Sequence, residues 1–374
     1  MGIALKSGKK KNKNYFDYSL LFIVIFLLCF GLVMLYSTSS YNAQIKTGSS
    51  FFYLIKQAKA TFLGLVVMLV IARIDYHFWK RIAIPAYFIS MLAILLVLTP
   101  LGIESNGARR WIGIAGQSIQ PAEIAKLALI LFFAYIISKN PGQIRKFSNL
   151  VKVLLLSVPV VALIAGVTSN LSSAIIILGI AIVMLFVASP KYSHFVAMGL
   201  AAFAGMGLFV LLESYRLDRI KVWLNPEKYS LEGGYQVLQG LYAIGSGGLF
   251  GKGLGQSLQK LGFVPEAQND MIFTIICEEL GLFGAVCVIL MFLFMLWRFM
   301  IIANNAPDLF GSLLVVGIMA HISLQVILNI AVVTNSIPNT GITLPFISYG
   351  GTSILFLLGE MGLALSVSRS IQSE

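Results

Sequence analysis

The sequence predicts an all-α polytopic membrane protein: ten transmembrane helices, cytoplasmic N and C termini, and one large extracellular loop between helices 7 and 8. Three observations carry that prediction. Of 374 residues, 58% are hydrophobic and only 11% charged, with a mean hydropathy of +0.89, a balance foreign to soluble globular domains. Apolar runs long enough to cross about 30 Å of hydrocarbon as helices recur along the chain. Basic residues gather in alternate connections, the mark of loops retained in the cytoplasm. The chain reads as a single membrane domain, 1–374, with a basic N-terminal stretch 1–17 and a polar loop 213–270.

The apolar runs lie at 18–37, 57–74, 82–100, 120–138, 150–167, 171–189, 194–212, 271–299, 309–333 and 345–367. The second is entered past Lys56 and Lys59, and only Thr168, Ser169 and Asn170 separate the fifth from the sixth. Lys6, Lys9, Lys10, Lys11 and Lys13 precede the first run, Lys80 and Arg81 follow the second, and Lys139, Arg145 and Lys146 follow the fourth. These groups fall on one face, and ten spans put Lys191, Arg298 and Arg369 there too, leaving 38–56, 101–119, 213–270 and 334–344 outside. The first run has no small-residue cleavage site beyond it and reads as a retained anchor.

A formal charge of +12 raises nucleic acid as a partner. The positive-inside rule accounts for it better: no aromatic residues interleave the N-terminal lysines, so no nucleic acid is expected. Cys29, Cys277 and Cys287 lie in apolar runs and His77, His194 and His321 are far apart, so neither a zinc pattern nor a disulfide framework is present. No GxxxxGK[ST] loop occurs, which argues against a pump of that kind. Any reaction must draw its energy from its substrate.

Ionisable residues inside spans are costly and are functional candidates by default. In IQPAEIAKLALIL, Pro121 suits the first turn of a helix, and Glu123 and Lys126 are spaced to pair on one face; the alternative is a pair that only pins the helix end. Upstream, NGARRWIGIAG carries Arg109, Arg110 and Trp111, either an interfacial anchor or a cation cluster for phosphate. In NDMIFTIICEELGLFG, Asp270 precedes Glu278 and Glu279 by about two helical turns. An unpaired carboxylate beside hydrocarbon has a raised pKa, which suits a general base. Asp270 fits that role, whereas Glu278 and Glu279 fit bracing of exposed loop N–H groups. The glycine-dense segment 240–257 permits positive φ and close approach to a ligand, or is a flexible re-entrant or interfacial segment. In NSIPNTGITLPFISYGGTS, 335–353, prolines and glycines break the helical pattern before the last span.

GARRWI, QPAEIAK, GGYQVLQGLYAIGSGGLFGKGLGQS, VPEAQNDMIFTIICEELG and TGITLPFISYGGTS resemble segments of the SEDS family, the shape, elongation, division and sporulation proteins typified by RodA, FtsW and SpoVE. The resemblance runs from the first span to the last, and the ARRW turn and SLQKLGFVPEAQND are more like the division and sporulation members, FtsW above all. It implies a peptidoglycan glycosyltransferase that polymerises lipid II at the outer face of the bacterial cytoplasmic membrane, in cell division, beside a class B penicillin-binding protein. It also implies ten helices, a catalytic aspartate at Asp270, and functional weight on Glu123, Lys126 and the arginines near Arg109. Two departures stand out: Asn170 replaces an aspartate common in the family, and NDM at 269–271 replaces TDF.

The reaction this implies removes a proton from an acceptor hydroxyl as it attacks the anomeric carbon of a donor whose lipid diphosphate departs. Asp270 would be the base. Arg109, Arg110, Lys126 and Lys260 would stabilise charge on the diphosphate, with Glu123 beside Lys126 and with Ser348, Gly350 and Gly351 of the ISYGG run completing the substrate-binding set. No cofactor is required; a divalent cation, Mg or Mn, would share the phosphate, although no ligand constellation demands one. Two other classes use the same spans: a flippase for the lipid-linked precursor, supported by the intramembrane charges Glu123, Lys126 and Glu360, and a noncatalytic scaffold for the penicillin-binding protein. An exterior carboxylate favours the enzyme, and no internal repeat of the transporter kind is evident.

Overall fold

The structure, a computed structural model, describes residues 16–105, 108–114, 117–196, 198–199, 220–230 and 234–371. It is mostly helical: α1 Tyr18–Thr47, α2 Phe52–Arg73, α3 His77–Leu95, α4 Pro121–Lys139, α5 Phe147–Leu155, α6 Val158–Val167, α7 Leu171–Ala188, α8 Tyr235–Ser246, α9 Ile272–Asn304, α10 Leu309–Val333 and α11 Ser353–Arg369. Among the described residues eight helical stretches are long and apolar enough to cross a membrane, with α3 extended to Leu98 and α5 and α6 counted as one. The expected seventh span, 194–212, lies mostly outside the described residues, as does the start of the 213–270 loop. Phe22, Phe62, Phe88 and Phe283 stand exposed on the helices, an outward apolar surface suited to lipid.

Four departures from the expected pattern have physical causes. First, the chain is not wholly helical, because β1 Gly102–Ser105, β2 Ala108–Ile114 and β3 Gln117–Ile119 form an antiparallel sheet in the order β1-β2-β3. Asn106-Gly107, a pair favoured in two-residue hairpins, is the sequence signal for it. Second, the span expected at 150–167 is broken between Leu155 and Val158. Pro159 lacks an N–H and its ring opposes the carbonyl four residues back; the Leu156 carbonyl, left over at the break, accepts from Tyr87 Oη at 2.7 Å. Third, the loop 213–270 contains a helix, α8, packed against α9 and α10. Fourth, the last helix begins at Ser353 and not at 345, since Pro345, Gly350 and Gly351 interrupt it.

Helix α9 is itself interrupted at Gly281, whose φ is 67° and ψ −166°. The glycine-rich loop fills the gap. Lys252 N and Gly253 N donate to the carbonyls of Glu278 and Glu279 at 2.9 Å each, while Leu282 N and Phe283 N donate back to the carbonyls of Gly248 and Leu249, at 2.9 and 3.0 Å. At Gly247 and Gly251 the close approach is made to the α9 backbone. A Cβ at Gly251 would stand 2.2 Å from the Glu279 carbonyl oxygen, and one at Gly281 would stand 2.3 Å from Gly251 N. The two carboxylates complete the joint. Glu278 accepts from Lys252 Nζ at 2.7 Å, Leu258 N at 3.2 Å and the Ser257 hydroxyl. Glu279 accepts from Lys260 Nζ at 2.7 Å, Ser37 Oγ at 2.7 Å and Ser257 N at 3.4 Å.

The opposite end of the bundle is closed by a second polar set. Asp17 caps α1 by accepting Leu20 N at 2.8 Å and pairs with Arg298 Nη2 at 2.7 Å. Ser368 Oγ accepts Asp17 N at 3.3 Å, and Tyr76 Oη donates to Asp308 at 2.9 Å. The starts of α1 and α10 and the ends of α9 and α11 therefore share one end, and the sheet, the glycine-rich loop and the 335–352 run occupy the other.

Gly281→Ala is expected to destabilise the protein by at least about 1–3 kcal/mol, from positive φ and the clash with Gly251, read as a lowered unfolding temperature in detergent. Lys260→Met should cost about 3–5 kcal/mol because Glu279 is left buried without its cation. Lys260→Met with Glu279→Leu should recover much of that loss, and equal melting of the single and double variants would contradict the pairing.

Candidate active site

Asp270 sits two residues before the start of α9, between α8 and the 335–352 run. It is 9% exposed. Gln236 Nε2, from α8, donates to Oδ2 at 3.4 Å, and a Cβ at Gly341 in the 335–352 run would lie 3.6 Å from the same oxygen. Oδ1 is the buried carboxylate oxygen that has no hydrogen-bond partner among the described residues. Burial pushes the carboxyl up to about 7, against the lowering effect of its own backbone N–H, with the charge of Glu266 adding to the rise. A carboxyl near neutrality with a free oxygen can take up and release a proton at physiological pH.

The ISYGG run is tied to this turn. Ser348 Oγ donates to the Asn269 carbonyl at 2.6 Å and accepts Leu344 N at 2.8 Å, and Tyr349 N donates to the Gln268 carbonyl at 2.9 Å. Gly350 N and Gly351 N both donate to Gln57 Oε1, at 3.3 and 3.2 Å, and Thr352 Oγ1 reaches the Ser118 carbonyl on β3 at 2.8 Å. Of the expected substrate-binding residues, Ser348, Gly350 and Gly351 thus have protein partners that fix the turn beside Asp270.

Glu123 and Lys126 meet at 2.8 Å and are both buried. Their bond is one end of a chain. Lys126 Nζ donates to Gln325 Oε1 at 3.5 Å, Gln325 Nε2 donates to the Thr343 carbonyl at 3.0 Å, His321 Nε2 lies 2.9 Å from Gln325 Oε1, and His321 Nδ1 lies 2.8 Å from Glu360 Oε2. Both ring nitrogens of His321 face side-chain oxygens. Glu360, which no sequence motif explained, is its hydrogen-bond partner.

The arginines diverge because successive β-residues point to opposite faces. Arg109 opposes Glu104 across β1 and β2, and the two pair at 3.6 Å with half or more of each side chain exposed; such a pair is weak. Arg110 turns to the other face and donates to the carbonyls of Thr168 and Ser169, at 3.3 and 3.0 Å, where α6 ends. Asn170, next in the chain, caps α7 by accepting Ser173 N at 3.1 Å, so its amide oxygen does the capping that an aspartate would do. Lys260 is held by Glu279 and Ser37.

Sequence reasoning missed Gln57, Gln236, Gln325 and Asn329, neutral amides that carry no charge signal. The available signal was spacing: His321, Gln325 and Asn329 recur every four residues within an otherwise apolar helix, hence on one face. Among the described residues no group of three or more His, Cys, Asp and Glu side chains is arranged to hold a metal.

Comparison with known proteins shows the family. Residues 18–373 match the FTSW_RODA_SPOVE family, described as cell cycle protein. Stage V sporulation protein E of Bacillus subtilis (strain 168) is 43% identical over 94% of this chain and 97% of its own. The probable peptidoglycan glycosyltransferase FtsW of Geobacter sp. (strain M18) is 38% identical over 94% of this chain and 96% of its own. A solved chain from "Structural coordination of polymerization and crosslinking by a peptidoglycan synthase complex" superposes with a TM-score of 0.80 at 28% identity, covering 95% of this chain and 98% of that one. A match over nearly the whole length, together with the ISYGG turn lying against Asp270, makes this chain a member of the FtsW/RodA/SpoVE family of cell cycle proteins.

Proposed function

We propose that this chain is a peptidoglycan glycosyltransferase that polymerises lipid II into glycan strands, with Asp270 as its general base. The observation that carries the assignment of the base is the orphan oxygen: a buried carboxylate with Oδ1 unpartnered and a pKa raised to about 7 by burial. The acceptor hydroxyl would give its proton to that carboxylate while its oxygen bonds to the anomeric carbon of the donor. The bond from that carbon to the lipid diphosphate breaks, and the electron pair leaves with the diphosphate. Arg109, loosely held by Glu104, is the cation best free to meet it; Lys126 is buried against Glu123 and acts on the site through Gln325.

Ten spans follow if the eight long apolar helices are joined by α11 and by the apolar run 194–212. That parity puts both termini in the cytoplasm of a bacterium and the end carrying Asp270 on the outer face of its cytoplasmic membrane. A class B penicillin-binding protein is the expected partner, since the superposed solved chain comes from a synthase complex that couples polymerization to crosslinking, and division or sporulation is the process that the named relatives favour.

Purified protein, with and without such a partner, should convert fluorescent lipid II to glycan polymer. Asp270→Asn and Asp270→Ala should lower the rate by roughly 10²–10⁴-fold, the usual worth of a general base, and folded variants that polymerise normally would remove Asp270 from the mechanism. The base acts when deprotonated, so the wild-type rate should climb about tenfold per pH unit below pH 7 and level off above it; a flat profile from pH 5 to 8 would contradict a base of raised pKa.

A further inference from the structure

We propose that Asn329 on α10 is a positioning residue that fixes Asp270 against the 335–352 run. The inference rests on the reading of Asp270 as the base, and it concerns a residue that itself touches neither substrate nor the reacting carboxylate.

Asn329 is fully buried. Its Nδ2 donates to the carbonyl of Asp270 at 2.8 Å and to the carbonyl of Ile342 at 2.6 Å. One amide group therefore uses both of its hydrogens to join the backbone carrying the carboxylate to the segment that covers it. Only a side chain with two N–H donors on one nitrogen can do so at this length, which excludes serine, threonine and aspartate. The orientation of the amide is dictated too, because a flipped group would set its oxygen against two carbonyl oxygens. The joint is anchored from below: Gln325, one turn along the same face, holds the Thr343 carbonyl at 3.0 Å, and His321, a further turn along, is held by Glu360. Three polar side chains on one buried face thus fix Asp270, Ile342 and Thr343 relative to α4 and α11.

The carboxylate's surroundings make the joint matter. Glu266, in the same loop, is the charged group acting on Asp270; Gln236 on α8, Asn329 on α10 and Gly341 in the covering run carry no charge. Its proton affinity is accordingly governed by burial, and burial depends on the two segments staying together. Releasing the joint admits water and lowers the pKa.

The test compares Asn329→Ala and Asn329→Ser with wild type and Asp270→Asn, in polymerisation of fluorescent lipid II from pH 5 to 9. Asn329→Ala should lose roughly tenfold to a hundredfold in kcat, as expected of a displaced catalytic group, and Asn329→Ser, whose hydroxyl can keep one of the two bonds, should lose less. The rising limb of the profile should move to lower pH in both, further in Asn329→Ala, a movement that a general loss of folded protein does not produce. Should Asn329→Ala fail to fold, Asn329→Ser carries the test through its pH limb. An unmoved limb in a folded variant overturns the positioning role while Asp270→Asn stays inactive; activity in Asp270→Asn overturns instead the assignment of the base.

Discussion

Irregular backbone at membrane depth must find hydrogen-bond partners inside the protein, because lipid offers none. That constraint organises the whole end of the molecule that carries Asp270. The glycine-rich loop, the turn 264–271 and the 335–352 run all leave N–H and carbonyl groups that no helix or sheet ladder satisfies. The helices answer with buried polar side chains. Gln57 receives two N–H groups of the ISYGG turn, Glu278 and Glu279 receive those of Leu258 and Ser257, Gln325 and Asn329 hold carbonyls of Thr343, Ile342 and Asp270, and Ser348 joins two segments at once. The loops are consequently rigid parts of the core, although they carry the irregularity that a binding cleft requires.

The same view explains the interrupted helix. A continuous α9 would satisfy its own carbonyls at Glu278 and Glu279; broken at Gly281, it offers them to Lys252 and Gly253. The loop and the helix complete each other's hydrogen bonding, and glycine is required where backbone meets backbone. Two carboxylates project from the helix just before the break and enter the loop with a lysine apiece, so the charge is neutralised where it is buried.

Much of the frame was legible in the sequence, because apolar length, basic connections and proline or glycine breaks are local properties. Pro345, Gly350 and Gly351 foretold a non-helical approach to the last span, and Pro159 carried a break that the length of its apolar run concealed. Asp270 was legible as a polar residue at a helix boundary, and Glu123 and Lys126 as a pair by spacing. What the sequence could not supply is which cation meets which carboxylate. Lys260 and Asp270 are ten residues apart, yet Lys260 turns to Glu279 and Ser37. Arg109 and Arg110 are adjacent, yet the strand sends them to opposite faces, a consequence of a sheet that an all-helical reading did not contain. The amides were silent because an isolated Asn or Gln in an apolar run states neither its direction nor its partner.

Pairing of charge separates the base from the frame. Among the described residues the buried carboxylates are Asp17, Glu123, Asp270, Glu278, Glu279 and Glu360, and five of these face a cation or an imidazole: Arg298, Lys126, Lys252, Lys260 and His321 respectively for Asp17, Glu123, Glu278, Glu279 and Glu360. Each of those five is engaged by its partner and is thereby part of the frame. Asp270 alone in that set has an amide for a neighbour and an oxygen with no partner. Pairing it would have stabilised its charge and removed its basicity. Left unpaired in a buried, well-braced turn, it retains an affinity for protons near neutrality, and the surrounding ion pairs brace that end of the bundle without drawing on it.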